Sequence, residues 1–442
     1  MTALAALLAL AGGCMMFDDS TGSAPPPLEV TAADHAAATV FTPATAATNQ
    51  LGLELLRQLA GSQPAESHLL ISPYSIQEAL AMAYAGADGD TRAEMARVLH
   101  FPGDDATLAA SFGALRDTLE KGAKSANAMH AAGPFPIELH VANRLFGQAG
   151  YAFRSPFLKL LQDGYGAPFE QVDFRHDLEP ARAKINGWVG EQTNEKVRDL
   201  IPPGGLSETT RLVLVNALYF KGAWQDRFEK ADTDERSFRV RGTDQIKVPT
   251  MVDQTYNVFG CAKGPGFTAV TLPYRTGALQ FLILLPDDPS GVNALAAKLT
   301  PALLQACARL KPPELPVEVY MPKLHFEPPT MPLGAMLRTL GLKTAFDNQG
   351  SANFKRMADP PNPEDALYIS EVFHKTYLEL DEEGTEAAAA TATAMVETSA
   401  VNIPGPPPPP PIIVHVDHPF LFAIQHRESD ACLFLGRVED PR

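Results

Sequence analysis

DEEGTEAAAATATAMVETSAVNIPGPPPPPP, residues 381–411, is the stretch around which the rest of the chain is organised. Between Gly384 and Thr398 no side chain is larger than threonine except Glu386, Met395, Val396 and Glu397. Such a run can contribute little to a hydrophobic core. It is followed by two apolar, β-rich runs, IIVHVDHPFLFAI and CLFLGRV, which are too short to form a domain of their own. The sequence therefore predicts a long loop that leaves a finished body and returns to it, and loops of this length are usually functional or disordered.

Three interpretations of this loop compete. Ala, Glu and Met favour a surface helix over residues 382–397, but Gly384 and the threonines weaken it, and no apolar stripe gives it a face to pack. A passive linker, Ala/Thr-rich and then polyproline II, is the second. The third is a strand that is mobile first and buried later. Alternate side chains of such a strand would point to opposite faces. One face would carry Thr385, Ala387, Ala389, Thr391, Thr393 and Met395, and the other Glu386, Ala388, Ala390, Ala392 and Ala394.

The beginning of the loop resembles the reactive-loop hinge of inhibitory serpins. The residues that carry this resemblance are Glu382, Glu383, Gly384, Thr385, Glu386, Ala387, Ala388, Ala389 and Ala390. The resemblance implies an α+β serpin fold with three β-sheets and about eight or nine helices. It also implies an exposed reactive loop, about residues 382–411, that can insert as a strand into the large sheet.

Polar residues inside predicted core elements carry the same resemblance. Ser72-Pro73 begins a predicted helix that is apolar on one face, and Ser72 and Ser75 can cap its unpaired amides. In serpins the two matching serines also belong to the shutter, a cluster beneath the central sheet. Asn216 lies in RLVLVNALYFKGAW, a strand apolar enough to be buried on both faces, where an unpaired amide would cost about 1 to 3 kcal/mol. The resemblance pairs Asn216 with His374 in the shutter.

Two more residues match the serpin breach, at the point where the loop joins the large sheet. Trp224, in Phe220-Lys221-Gly222-Ala223-Trp224, matches the breach tryptophan. Lys323 matches the lysine that pairs with the hinge glutamate, here Glu382. The C-terminal run Asp417 to Ile424, DHPFLFAI, is similar to the serpin signature. The resemblance covers about residues 49–442, which we take as one serpin domain.

The N-terminus is predicted to direct export. Residues 1–14 resemble a bacterial lipoprotein signal that ends in a lipidated Cys14, and they are too short to span a bilayer. The alternative is an ordinary signal peptide or an apolar start without a targeting function. Residues 15–48, rich in Ala, Thr, Pro and Asp, are predicted to form a disordered tether. The protein would then be an outer-membrane or cell-surface lipoprotein, or otherwise periplasmic or secreted, with membrane contact only through the lipid.

Composition excludes several other classes of function. The formal net charge is −16 with no basic cluster, which argues against nucleic acid as a partner. The four cysteines lie far apart without metal-ligand spacing, so neither a metal site nor a disulfide framework is predicted. The sequence lacks a G-x-S-x-G elbow, an H-E-x-x-H motif and a phosphate-binding glycine loop. We predict no enzyme activity, no catalytic residue and no cofactor.

The resemblance implies suicide inhibition of serine proteases, with cysteine proteases left open as further partners. Counting along the hinge as in inhibitory serpins places the reactive bond at Thr398-Ser399. Small residues there suit elastase-like or subtilisin-like pockets, whereas a shifted register would offer Glu397 to a glutamyl endopeptidase, or Met395 or Val396 to an elastase or chymotrypsin-like enzyme. Neither Lys nor Arg occurs from residue 376 to 426, which disfavours trypsin-like targets.

Two questions stay open from the sequence. The run Pro406–Pro411 lengthens the stretch after the reactive bond, either as a stiff polyproline II spacer or as an exosite for proline-binding grooves. The alternative function is that of a non-inhibitory serpin, a binding or structural protein whose loop does not insert. Such members typically lose the small-residue hinge that this chain keeps.

The LAAKLTPALLQACARL run, residues 295–310, is predicted as a single helix.

Overall fold

The structure is a computed structural model of the 442-residue chain. It describes residues 22–30, 41–62, 69–129, 137–240, 244–253, 260–275, 277–362, 365–385 and 409–442. Of the helices within these ranges, none is both long enough and apolar enough to cross a membrane. Cys14 lies outside them, so the lipid anchor and the cellular location stay predictions.

Nine α-helices lie in the described ranges. They are α1 (Thr42–Ser62), α2 (Pro73–Gly86), α3 (Gly89–Val98), α4 (Asp105–Met129), α5 (Ser155–Tyr165), α6 (Leu178–Gln192), α7 (Val292–Lys298), α8 (Pro301–Ala308) and α9 (Gly334–Thr339).

The strands of the N-terminal half are β1 (Leu69–Ile71), β2 (Glu138–Gln148), β3 (Glu170–Val172), β4 (Leu212–Ala223), β5 (Asp234–Val240), β6 (Asp244–Asp253), β7 (Gly260–Gly264) and β8 (Phe267–Pro273). Those that follow are β9 (Leu279–Pro286), β10 (Val317–Pro322), β11 (Leu324–Phe326), β12 (Met331–Pro332), β13 (Ile369–Asp381), β14 (Gly384–Thr385), β15 (Ile412–His415), β16 (Phe420–His426) and β17 (Ala431–Val438).

In the part of the chain that the structure describes, these strands form three sheets. The large sheet has the order β11-β13-β14-β4-β2-β3, with β12 paired to β13. A six-stranded sheet has the order β1-β17-β16-β9-β8-β7, and a four-stranded sheet has the order β15-β10-β6-β5. Helices and sheets of mixed topology in this arrangement confirm the predicted α+β class with three sheets.

The large sheet is buried on both faces, as the apolar run of β4 predicts. Alternate β4 side chains, from Val213 to Tyr219, pack with α6 in one core cluster. The intervening ones, Leu212, Leu214, Leu218 and Phe220, belong to the main core between the sheets and the helices. The strand is therefore a central one, and any strand added beside it would enter a buried environment.

Both ends of the long loop are fixed in the body. Its first residues form β14 in the large sheet, and its last described residues run from Pro409 into β15, which pairs in parallel with β10 at the edge of the four-stranded sheet. Strands β16 and β17 then complete the six-stranded sheet, and every residue in them is buried. The prediction that the C-terminal runs return to the core is confirmed.

Three sequence predictions need correction. The folded body begins before Asn49, because α1 starts at Thr42 and buries Ala44 and Ala47, and residues 22–30 of the predicted tether contact the body through a β-bridge at Pro27. The helix predicted over residues 295–310 is two helices, α7 and α8. Thr300 caps α8, and Pro301 has no amide hydrogen with which to continue α7.

The third correction concerns α2, which is not apolar on one face only. All of its residues are buried, including the polar Gln77 and Glu78. The helix is enclosed because it packs against α1, the large sheet and β17 together. Its polar side chains must therefore find partners inside the protein.

Candidate functional site

The large sheet is split at one end, and the loop enters it there. Strands β4 and β13 pair directly in parallel as far as Tyr219 and Tyr377. Beyond that point β14 lies between them and pairs antiparallel with both, with Thr385 opposite Leu380 on one side and Gly222 on the other. Gly384 and Thr385 of the predicted hinge are thus already part of the sheet.

Glycine is required at the start of this short strand. Gly384 has φ of 145°, a backbone conformation that side-chain-bearing residues rarely adopt. A Cβ atom there would lie 2.1 Å from the carbonyl oxygen of Gly222. The close approach of the two backbones explains why the hinge carries glycine at this position.

Thr385 is anchored in the core beneath the split. Its side chain is fully buried, and its Oγ1 lies 2.6 Å from the Tyr274 hydroxyl oxygen. Burial raises the pKa of the Tyr274 phenol far above its ordinary value, so the hydroxyl stays neutral. The Tyr274 ring stacks on Trp224 with centroids 4.8 Å apart. An aromatic pair therefore supports the first inserted threonine.

Trp224 holds the turn that connects β13 to β14. Its indole Nε1 donates to the carbonyl of Asp381 at 2.9 Å, and its backbone N–H donates to the carbonyl of Glu383 at 3.0 Å. The backbone N–H of Phe228 donates to the carbonyl of Glu382 at 3.1 Å. Three donors thus fix three successive hinge carbonyls, and the predicted breach tryptophan supplies two of them.

The two hinge glutamates are held by separate cations. Lys323 Nζ lies 2.6 Å from Glu382 Oε1, which also accepts from Thr233 Oγ1 at 2.7 Å. Although burial alone would raise the pKa of Glu382, these two hydrogen bonds lower it below the ordinary value. Arg227 contacts Glu383 at 2.8 Å. The predicted Lys323–Glu382 contact is confirmed. Glu382 is only 3% exposed, so this ion pair differs from the exposed surface pairs that contribute little to stability.

The predicted shutter residues meet beneath the sheet, below the split. His374 lies opposite Asn216 in the register of β13 and β4, and its Nδ1 contacts Asn216 Oδ1. Its Nε2 accepts from the backbone N–H of Ser72 at 3.1 Å. Burial lowers the pKa of His374 to about 3, so the ring is neutral and its single proton lies on Nδ1. Asn216 donates in turn to Ser75 Oγ at 2.7 Å.

The network extends past the predicted residues to Asn143 and Glu78. Asn143 Oδ1 accepts from Ser75 Oγ at 2.7 Å and from Asn216 at 2.9 Å. Its amide nitrogen donates to Glu78 Oε2 at 2.7 Å. Burial raises the pKa of Glu78 to about 7, against an ordinary value of 4.5, despite hydrogen bonds from Asn143 and Tyr74. A titrating carboxyl therefore lies at the end of the shutter network.

This cluster is not arranged for hydrolysis. Ser72 and His374 are 0% and 1% exposed, so no substrate carbonyl can approach them. Ser72 Oγ instead accepts from the Ser75 amide at 3.2 Å as a helix cap. Among the described residues there is no group of three or more side chains suited to hold a metal ion. Cys261, Cys307 and Cys432 are free and buried.

The structure brings together two groups of predicted residues and leaves others outside its described ranges. The group at the split of the large sheet contains Glu382, Glu383, Gly384, Thr385, Trp224 and Lys323. The group beneath the directly paired part contains Ser72, Ser75, Asn216 and His374. The predicted residues outside the described ranges are Cys14, Glu386, Ala387, Ala388, Ala389, Ala390, Thr398 and Ser399.

Sequence reasoning missed several partners of these residues. Asn143 carried a usable signal, since it is an amide in the VANRLFGQ run that forms β2, and it needs a partner for the same reason as Asn216. Glu78 lies in α2, for which only one apolar face was predicted, so a buried carboxyl was not expected there. Thr233, Tyr274 and Arg227 carried no local signal, because only the tertiary fold brings them to the hinge.

Comparisons with known proteins agree with this geometry. The family model "Serpin (serine protease inhibitor)" matches residues 46–441. The chain is 36% identical to the leukocyte elastase inhibitor of Bos taurus, over 90% of this chain and 99% of that protein. It is 36% identical to serpin B6 of Pongo abelii, over 89% and 98%. The native stressed conformation of Arabidopsis AtSerpin1 superposes with a TM-score of 0.73 at 27% identity, covering 92% of this chain and 100% of that one.

Proposed function

The chain belongs to the serpin family, and we propose that it is a suicide inhibitor of serine proteases whose loop is cleaved near Thr398-Ser399 and then inserts into the large sheet. The observation that carries this proposal is the placement of Gly384 and Thr385 between β4 and β13. Among the described residues, this is where the large sheet is split, and the loop has already begun to pair there. Further pairing of the loop therefore needs no new nucleation step.

The register of β14 supports a specific path for insertion. Gly384 lies opposite Ala223 of β4 and Asp381 of β13, and each further loop residue would lie one residue earlier on both strands. Continued in this way, the register places Thr391 between Asn216 and His374, the two residues that now face each other. Full insertion must therefore separate the shutter pair.

The alternation of side chains supports the same path. Because Thr385 points toward Tyr274 in the main core, Thr391 would point the same way, toward the hydroxyl of Ser75. A threonine can replace the hydrogen bonds that Asn216 and His374 lose when they separate. Small residues between these threonines fit a sheet whose two faces are already packed.

The chemistry begins as ordinary proteolysis. The protease serine attacks the carbonyl carbon of Thr398, the amine of Ser399 leaves with a proton, and an acyl-enzyme forms. Insertion before water reaches the ester would carry the protease to the far end of the sheet and distort its active site. Each new ladder hydrogen bond contributes about 0.5 to 1.5 kcal/mol, so a dozen of them rival the whole stability of an ordinary domain. The intact protein is therefore metastable.

The loop composition favours proteases with small or apolar specificity pockets. Thr398 and Ser399 suit elastase-like and subtilisin-like enzymes, and one of the similar proteins is named an elastase inhibitor. Glu397 would suit a glutamyl endopeptidase if the register is one residue earlier. Without Lys or Arg from residue 376 to 426, a trypsin-like enzyme finds no preferred bond.

The test is a direct assay with a panel of proteases. The purified protein is mixed with elastase, subtilisin, a glutamyl endopeptidase and trypsin, complexes stable in SDS are counted, and the released C-terminal peptide is sequenced. We expect a complex with elastase or subtilisin and a peptide that starts at Ser399. Cleavage by every protease with no complex would contradict inhibition and support the alternative, a non-inhibitory serpin that acts as a binding or structural protein.

A further inference from the structure

The segment from Gly22 to Val30, called here the N-terminal strap, is attached to the body at its C-terminal half. Pro27 forms a parallel β-bridge with Lys263 on β7, the edge strand of the six-stranded sheet. The N–H of Leu28 donates to the Lys263 carbonyl at 2.7 Å, and the N–H of Lys263 donates to the Pro26 carbonyl at 2.6 Å. Leu28 is half-buried against the main core. The strap therefore covers an exposed strand edge in a defined register.

The other half of the strap contacts the end of the reactive loop. The backbone N–H of Ser23 donates to the Pro411 carbonyl at 2.9 Å, and its Oγ–H donates to the Pro410 carbonyl, also at 2.9 Å. Gly22 lies so close to β15 that a Cβ atom there would be 3.0 Å from Ile413 Cγ1. One residue thus binds two successive carbonyls at the base of the proline run.

These two hydrogen bonds matter because a proline run cannot fix its own orientation through backbone N–H donors. A proline run has no backbone N–H with which to pair to a neighbouring strand, and polyproline II has no internal hydrogen bonds. Its carbonyls are its only backbone contacts. Pairing of β15 with β10 fixes the chain from Ile412 onward, whose N–H donates to the Pro316 carbonyl at 2.8 Å. Pro409 and Pro410 are exposed, and the donors on Ser23 add two contacts on the other side of that point.

We infer that the N-terminal strap is a positioning element for the reactive loop, and that Ser23 sets the direction in which the proline run carries the bait away from the body. The inference rests on the proposed function only for its kinetic consequence. If all six prolines adopted polyproline II, the run would span about 19 Å at 3.1 Å each, and a change of angle at Ser23 would move its far end by many ångströms. A flexible segment of the same length would lose that direction within a few residues.

The strength of the anchoring follows from the two hydrogen bonds. Each one favours the attached state over the released state by roughly fivefold. Ser23→Ala keeps the backbone donor and should release the run in part. Ser23→Pro removes both donors and should release it fully. Val30→Ala is the control, because Val30 is 48% exposed and lies at the opposite end of the strap from Ser23.

Electron–electron distance measurements test the inference without a protease. Spin labels are placed on Lys121→Cys, on the exposed face of α4, and on Gly405→Cys, directly at the far end of the proline run, in a Cys14→Ser background. Cys261, Cys307 and Cys432 are at most 1% exposed and stay unlabelled. We expect a narrow distance distribution in this parent and with Val30→Ala, a broader one with Ser23→Ala, and the broadest with Ser23→Pro. All four should unfold within a few degrees of one another.

A second background tests whether the stiffness of the proline run is needed in addition to its contact with Ser23. When Pro406–Pro410 is replaced by alternating Gly and Ser, the distribution should already be broad and Ser23→Pro should not widen it further. Without labels, the association rate with elastase should fall several-fold with Ser23→Pro in the proline background only. Equal widths for parent and Ser23→Pro would overturn the inference even if the protein inhibits. Conversely, the expected widths without any protease complex would uphold the anchoring and overturn the proposed function.

Discussion

Thr385→Arg should convert the proposed inhibitor into a substrate. Thr385 is fully buried and bonded to Tyr274, so an arginine there would have to bury a charge in an apolar site or withdraw β14 from the sheet. Withdrawal costs less, and insertion then starts too late to trap the acyl-enzyme. We expect the yield of SDS-stable complex with elastase to fall by more than about tenfold while cleavage near Thr398 continues, since burying an unpaired charge costs several kcal/mol.

Glu386→Arg provides the matched control for this variant. If the register of β14 continued on insertion, residue 386 would lie opposite Lys221 and Glu379, which are partly exposed, and on the face opposite to Thr385. The same arginine should be tolerated there, and complex formation should stay near that of the parent. A Thr385→Arg protein that forms complexes at normal yield would show that the sheet register proposed for insertion is wrong.

Acidification from pH 8 to pH 4.5 should stabilise the folded protein through Glu78. The pKa of Glu78 is about 7 in the folded protein, against 4.5 for an ordinary glutamate. Between these values the folded state keeps a proton that the unfolded chain has released, so stability falls as pH rises from about 4.5 to about 7 and is level above that. The shift corresponds to about 3 kcal/mol.

The groups around Glu78 fix the sign of this effect. Asn143 on β2 and Tyr74 on α2 donate hydrogen bonds to it, and the charge of Arg116 on α4 favours its ionised form, but burial outweighs all three. Tyr165 on α5 is the other titratable group that interacts with it, and its own pKa is raised by burial. The carboxyl is therefore protonated at mildly acidic pH and ionised above neutrality.

Thermal unfolding of Glu78→Gln across this pH range measures the contribution. A glutamine can still accept from Asn143 but cannot ionise, so this variant should lose the decline in midpoint between pH 4.5 and 7 and exceed the parent by several degrees at pH 8. Glu120→Gln, at an exposed site on α4, should behave as the parent. If parent and Glu78→Gln show the same pH profile, the carboxyl does not titrate as described.

Much of the fold followed from patterns along the chain. Near-continuous apolar character predicted that β4 is central, and the Ser72-Pro73 start predicted the capped end of α2. The split of LAAKLTPALLQACARL was missed because its apolar pattern continues across Pro301, where the backbone cannot. The early start of α1 at Thr42 was missed because alanine and threonine look alike in a tether and in a helix that buries small residues.

For the site, too, some residues could be predicted from local motifs, whereas others reach it only through the tertiary fold. Asn216, His374, Lys323 and Trp224 were found through motifs, and their contacts follow from strands that the motifs define. Tyr274 and Thr233 reach the hinge from parts of the chain that carry no motif. Nothing in the composition of residues 22–30 indicated that Ser23 binds the end of the loop, because that contact depends on where two distant segments meet.

Thermal unfolding before and after loop cleavage tests the central claim, that the loop completes the large sheet once it is cut. A protease that cuts the loop without being trapped is used to nick the protein, and the midpoints of intact and nicked samples are compared. Insertion of about a dozen residues should raise the midpoint by more than about 10 °C, and the nicked Thr385→Arg variant should show a much smaller rise. A nicked protein that unfolds at or below the temperature of the intact one would contradict the account.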